Sequence, residues 1–166
     1  YHLHHVAGKV MALAEFMEYG EAYATDIVSN ARAFAGALAA EGFDVLAESR
    51  GYTASHQVLT RHGELDSGAG AKAAQRLEEA GIITNMNMLP GDTKAMTPSG
   101  LRLGVQELTR VGFSNDDMEE VASFYARVLL HGEDPAAVRA DVHALKQQRQ
   151  TIRYCFNEDE RSGYPE

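Results

Sequence analysis

Apolar residues recur at helical spacing from the start of the chain. Val6, Val10, Leu13 and Met17 follow one another at four, three and four residues, which puts them on one face of a helix. Gly20 interrupts this pattern. Ala24, Ile27, Ala31, Phe34 and Leu38 then form a second helical stripe, and Gly42 is placed to end it as a left-handed cap. Both stretches are rich in alanine, so both can lie close against another body.

The period then changes. Phe43 to Ala47 reads as a short strand, Glu48 to Ala54 as a turn, and Ser55 to Arg61 as a second strand around Val58 and Leu59. Ser67 is suited to cap a helix running to Ala80 with Ala74 and Leu77 inward, and Gly81 closes it. Ile82 to Asn85 predicts a third strand. Met88 to Gly100 has no period and contains Pro90, Gly91 and Pro98, so it reads as a loop of the length at which loops carry function. From Leu101 to Val105 the alternation is clean: Leu101, Leu103 and Val105 face one way, Arg102 and Gly104 the other. Ser114 and Asp117 resemble a capping box for a helix with Met118, Val121, Tyr125 and Val128 inward. Asp134 and Pro135 open a last helix through Val138, Val142, Leu145 and Ile152, and the polar stretch from Asn157 to Glu166 reads as irregular.

The connections are too short for several parallel crossovers. The expected fold is therefore α+β, a small and mostly antiparallel sheet with helices packed on one face.

Composition narrows the function classes. The 166 residues carry a net charge of −9, which argues against nucleic acid or an anionic membrane as partner. No apolar run reaches the roughly 20 residues of a membrane span. Cys155 is the single cysteine, so no internal disulfide forms and a reducing, cytoplasmic setting is expected. The chain opens at Tyr1 without methionine, which fits a piece of a longer polypeptide.

Arg102 is the leading candidate for chemistry. A guanidinium on the polar side of a strand, directly after a long loop, can grip a carboxylate through two parallel hydrogen bonds. An arginine on a solvated sheet face satisfies the same pattern. Asn85 and Asn87, alternating with Met86 and Met88 before the loop, are placed either for binding or for turn chemistry. His2, His4 and His5 are too close in sequence to converge on a metal, and no second ligand group accompanies them. Gly68-Ala-Gly70 imitates a dinucleotide-binding loop but lacks the strand before it. Lys9 sits inside the first helix and reads as solvated.

Several segments resemble the serine hydroxymethyltransferase family. His5-Val-Ala-Gly-Lys9 is similar to the start of the helix that follows the family's catalytic core. Glu41-Gly-Phe-Asp44 and Ser55-His56 match its Gly-Tyr turn and Asn-His strand, and Asn85-Met-Asn87 with Pro90 matches its Asn-Lys-Asn segment. Most specific are Pro98-Ser-Gly-Leu-Arg102-Leu-Gly104, which resembles Thr-Ser-Gly-(Ile/Leu)-Arg-(Ile/Val)-Gly, and Thr109-Arg110-Val-Gly112-Phe113, which resembles Thr-(Thr/Arg)-Arg-Gly-Phe. The matches keep the family's order over residues 2 to about 130.

The resemblance implies the C-terminal domain of a fold-type I, aspartate-aminotransferase-like enzyme that uses pyridoxal 5'-phosphate (PLP). Such an enzyme makes or breaks the Cα–Cβ bond of a β-hydroxy amino acid. It implies that Arg102, with Ser99 of the same motif, binds the substrate carboxylate. Asn87 falls on a position that touches the folate pterin, and Asn85, Lys94 and Met96 line the same expected second-substrate pocket. The family's Schiff-base lysine lies upstream of His5, and none of Lys9, Lys72, Lys94 and Lys146 matches it, so no catalytic residue is assigned within these residues. The implied partners are an amino-acid substrate, the remainder of the same enzyme, and further copies in a homodimer or homotetramer. Residues 1–41 are expected to link to the PLP-binding large domain, 42–132 to form the small domain, and 133–166 to add a helix and a tail.

Two departures bear on tetrahydrofolate. The loop before Arg102 is one residue shorter, with Lys94-Ala-Met96 in place of Ser-Pro-Phe, and Gly-Thr-Pro-Ala becomes Gly104-Val-Gln-Glu107. They weigh against folate and favour considering a threonine transaldolase or an α-methylserine hydroxymethyltransferase. Another PLP activity, such as an aminotransferase or decarboxylase, and a non-catalytic scaffold are the remaining alternatives.

Overall fold

A computed structural model describes residues 2–157; the tail expected to be irregular lies almost wholly outside the described residues. The first element is α1 (Leu3–Glu41), a single helix of 39 residues. Gly20 therefore does not divide it, contrary to expectation. A glycine inside a helix costs only about 1 kcal/mol relative to alanine, and this stretch is braced from outside. Glu15 bonds Arg110 and the Phe156 N–H, and the Tyr19 and Tyr23 rings lie against Phe156 and Tyr154. Gly42, at φ 101°, caps the helix as expected.

After β1 (Asp44–Val45) and β2 (Gln57–Arg61) comes α2 (Ala69–Glu79). Its N-cap is Gly68 in left-handed conformation rather than Ser67, whose hydroxyl still accepts from the Ala69 N–H at 3.3 Å. The third strand, β3 (Asn85–Asn87), starts later than the pattern predicts. Ile82 belongs to the end of α2: its N–H bonds the Leu77 carbonyl, and its side chain packs on the core as the apolar residue after a glycine cap does. Then come β4 (Gly100–Gly104), a five-residue helix α3 (Gln106–Arg110) that the pattern does not reveal, α4 (Asp117–Leu129) and α5 (Pro135–Gln148). Asp134 caps α5 by accepting from the Ala136 N–H at 3.0 Å, and Ile152 lies beyond its end.

The sheet has the order β1-β2-β4-β3, and every pairing is antiparallel. Val58, Thr60, Leu101 and Leu103 are buried on its helix-covered side. One continuous core joins Ala31 to Leu38 of α1, this sheet face, Leu77, Met118 to Val128, and Val138 and Leu145 of α5. Asn30, also buried, donates from Nδ2 to Thr109 Oγ1 (2.9 Å) and the Phe113 carbonyl (3.0 Å), fastening α1 to the turn after α3. On the opposite face Leu59 and Arg61 are half-buried and Asn85 and Arg102 exposed, and no helix among the described residues covers it. Among the described residues no helix is long and apolar enough to cross a membrane.

Candidate functional site

Arg102 stands on the uncovered face. It is directly opposite Leu59 on β2 and Asn85 on β3, so the three side chains project together. One position along, Arg61 faces Gly100 and is paired with Asp44 at 3.2 Å. Arg102 has no hydrogen bond or ion pair among the described residues and is exposed. Its side chain lines an open cavity of about 350 Å³ with His56, Gln57, Thr84, Asn85 and Gln106. Thr84 adds a buried hydroxyl oxygen with no partner among the described residues. The arrangement presents a free fork of N–H donors with polar neighbours, the donor set a carboxylate needs. None of the four lysines lines this cavity. The residues in hand therefore fit the carboxylate-binding half of a PLP site and not its amine.

Ser99 lies outside this cavity. It is fully buried, and its hydroxyl donates to Asp92 Oδ2 at 2.8 Å, so it has no surface to offer a substrate. Asn85 joins the Arg102 cavity. Asn87 does not line it, and its amide donates to the Met88 carbonyl at 2.6 Å. Lys94 and Met96 are exposed on the loop, away from the Arg102 cavity.

The loop from 88 to 99 is held by two carboxylates the sequence pattern gives no reason to choose. Asp92 accepts from the N–H groups of Leu89 (2.8 Å), Ser99 (3.0 Å) and Asp66 (2.7 Å), and from the Ser99 hydroxyl. Asp66 reciprocates, accepting from the N–H groups of Thr93 and Lys94 and from the Thr93 hydroxyl. Burial pushes the Asp92 carboxyl up, but these bonds outweigh it and hold the group well below the usual carboxylate range.

The glycines that imitate a nucleotide loop have a different use. Gly68 and Gly70 donate their N–H groups to the carbonyls of Thr97 and Pro98, each at 3.1 Å, and so brace the approach to β4. The His2, His4 and His5 rings meet tilted or edge-on, with centroids 4.2 to 5.5 Å apart, and among the described residues no three His, Cys, Asp or Glu side chains are grouped to hold a metal.

The whole arrangement has a counterpart among solved structures. L-threonine transaldolase from Pseudomonas fluorescens superposes with a TM-score of 0.80 at 32% identity, over 90% of this chain and 34% of that one. A small antiparallel sheet backed by helices, with that likeness, has the fold of the C-terminal domain of fold-type I PLP enzymes. The serine hydroxymethyltransferase profile matches residues 1–125. The serine hydroxymethyltransferases of Thermococcus kodakarensis and Pyrococcus abyssi are each 55% identical over 95% of this chain, and that of Methanopyrus kandleri is 50% identical over 94%. The chain belongs to the serine hydroxymethyltransferase family. It spans little more than a third of the length of these relatives (37%, 37% and 36%).

Proposed function

We propose that these residues form the carboxylate-binding part of a PLP-dependent enzyme that makes or breaks the Cα–Cβ bond of a β-hydroxy amino acid. The observation that carries this reading is the guanidinium of Arg102, exposed beside Asn85 on the open sheet face and without a partner among the described residues. Leaving a cation without a partner there is of no use to the small domain itself, whereas Arg61 on the same face is neutralised by Asp44.

PLP, when bound, withdraws the electron pair left at Cα and so makes the bond cleavage accessible. The work of this chain is orientation. Two parallel N–H bonds from Arg102 fix the carboxylate plane, and with it which bond at Cα is presented for cleavage. Asn85 and Gln106 supply neutral polar contacts at the edge of the same cavity. Residues 42–132 act as the small domain in this reading, 1–41 as its link to the PLP-holding remainder, and 133–166 as an added helix and tail. A second copy completes the enzyme.

For the acceptor, the threonine transaldolase likeness and the Lys94-Ala-Met96 loop favour an aldehyde over tetrahydrofolate. Two experiments on the complete enzyme test the proposal. Arg102→Ala should weaken amino-acid binding about a hundredfold, the loss of two charge-assisted bonds, while PLP stays bound. Unchanged affinity removes the basis of the reading. Incubation with threonine and a second aldehyde without folate should yield the exchanged β-hydroxy amino acid; if serine turnover with tetrahydrofolate is the only transfer seen, the acceptor assignment is wrong.

A further inference from the structure

Asp92 does not line the Arg102 cavity. Its carboxylate nevertheless governs how the chain enters β4. Oδ2 receives the N–H of Leu89 and both the N–H and the hydroxyl of Ser99, so one oxygen pins the two ends of the loop together. Oδ1 receives the Asp66 N–H and fastens that closed loop to the segment after β2. Each end then acts on the strand. Leu89 closes over Gly100, where an added Cβ would lie 2.4 Å from Leu89 Cγ. The Ser99 carbonyl takes the His62 N–H at 3.0 Å, which fixes the first rung beside β2. Arg102 follows three residues after Ser99.

Strand geometry makes that entry decisive. Side chains alternate between faces, so a slip of one residue would turn Arg102 into the core, and a smaller tilt moves its guanidinium across the cavity mouth. Asp66 adds a second lock. Because it grips Thr93 and Lys94, immediately after Asp92, neither carboxylate can shift without breaking the other's bonds.

We propose that Asp92 is a positioning residue for recognition of the substrate carboxylate: it holds Arg102 in place without touching the substrate. The inference rests on the reading of Arg102 given above. A carboxylate that merely stabilises the loop would, when changed, lower the melting temperature and leave amino-acid affinity intact.

The test uses the complete PLP-loaded enzyme in four forms: parent, Asp92→Asn, Arg102→Ala and the double variant. Asparagine keeps the size but sets an amide NH₂ against N–H donors. Glycine is titrated and its dissociation constant read from the change in cofactor absorbance; PLP occupancy and hydrogen exchange over residues 88–99 are measured alongside. Asp92→Asn should weaken glycine binding about tenfold and raise the serine KM by a similar factor, with kcat changing less than about twofold. Occupancy should hold, and exchange over 88–99 should quicken. On the Arg102→Ala background the same change should add less than about twofold, since there is no guanidinium left to place.

If Arg102→Ala loses affinity while Asp92→Asn keeps it, the positioning role is wrong and the reading of Arg102 stands. A full Asp92→Asn loss that persists without Arg102 also overturns the role. If Arg102→Ala itself binds glycine normally, the reading of Arg102 falls and takes this inference with it. Should Asp92→Asn not fold, Ser99→Ala removes only the hydroxyl bond to Asp92 and should weaken binding about threefold; unchanged affinity there counts against the role equally.

Discussion

Gly70, in the first turn of α2, meets Gly100, the first residue of β4, with no room for a side chain between them: a Cβ at Gly70 would lie 2.2 Å from the Gly100 carbonyl oxygen. The obstacle is backbone, so it cannot be relieved by a rotamer change. Gly70→Ala must push α2 away from the strand that carries Arg102. It should cost about 1–3 kcal/mol, the range for overpacking a close contact, and weaken amino-acid binding as well. Thermal melts and glycine titration check both; a melting temperature matching the parent's would mean the two backbones are free to separate.

Arg102→Lys separates charge from geometry. Lysine keeps the positive charge but lacks the planar fork, so it cannot make the two parallel bonds. Amino-acid affinity should fall about tenfold, between parent and Arg102→Ala. Equal affinity for Arg and Lys enzymes would show that a point charge suffices and that carboxylate orientation is set elsewhere.

Arg149 and Asp117 join the end of α5 to the start of α4. Arg149 donates from Nη2 at 2.6 Å and from Nε at 3.2 Å to a carboxylate that is itself nearly buried. Burial raises the Asp117 carboxyl, but the Arg149 and Ser114 bonds outweigh it and hold the group low. Arg149→Ala strands that charge and should cost about 1–2 kcal/mol, less than a fully buried pair because the arginine is part exposed. Adding Asp117→Asn should recover part of the loss. Additive losses in the double variant would mean that the two residues do not stabilise each other.

His62 makes the protein acid-sensitive. Burial pushes its imidazole down to about 4, against the upward pull of the Asp44 carboxylate, and its Nε2 lies 2.8 Å from the Thr60 hydroxyl. Its ordinary value is 6.5. Between these values the unfolded chain binds the proton more readily than the folded one, so this stabilisation is complete above pH 6.5 and is lost as the pH falls toward 4. Melting temperature should therefore drop over that window in the parent and drop less in His62→Gln. Parallel curves for the two proteins would contradict the assignment.

Much of the fold is legible because it rests on local periodicity. The clean alternation of Leu101, Arg102 and Leu103 yields β4 with its burial correct, and Gly42, Gly81 and Asp134 mark helix ends through backbone chemistry that needs no tertiary contact. What misleads the reading is tertiary. Ile82 looks like a strand residue because it is apolar, yet its hydrophobicity belongs to the cap of α2. Gly20 looks like a break, yet contacts from the far end of the described chain hold the helix together through it. The place of Arg102 on the open side of β4 is legible from the alternation. Asp66 and Asp92 are not: each alone is an ordinary turn residue, and only their mutual bonds across 26 positions give them a role. Ser99 shows the reverse, a motif residue whose side chain faces the loop's interior and bonds Asp92.

The length of α1 carries a mechanical implication. Its buried residues begin at Asn30, while Val6, Val10, Leu13 and Met17 remain exposed. The helix is first clamped at Glu15, by Arg110 and the Phe156 N–H, so about 18 Å of it stands ahead of that anchorage at about 1.5 Å per residue. A swing of about five degrees at that clamp would carry the far tip through only about 1.6 Å on the same geometry. A pull on the first turns therefore reaches the sheet bearing Arg102 only through a rod already clamped at Glu15, Tyr19 and Tyr23.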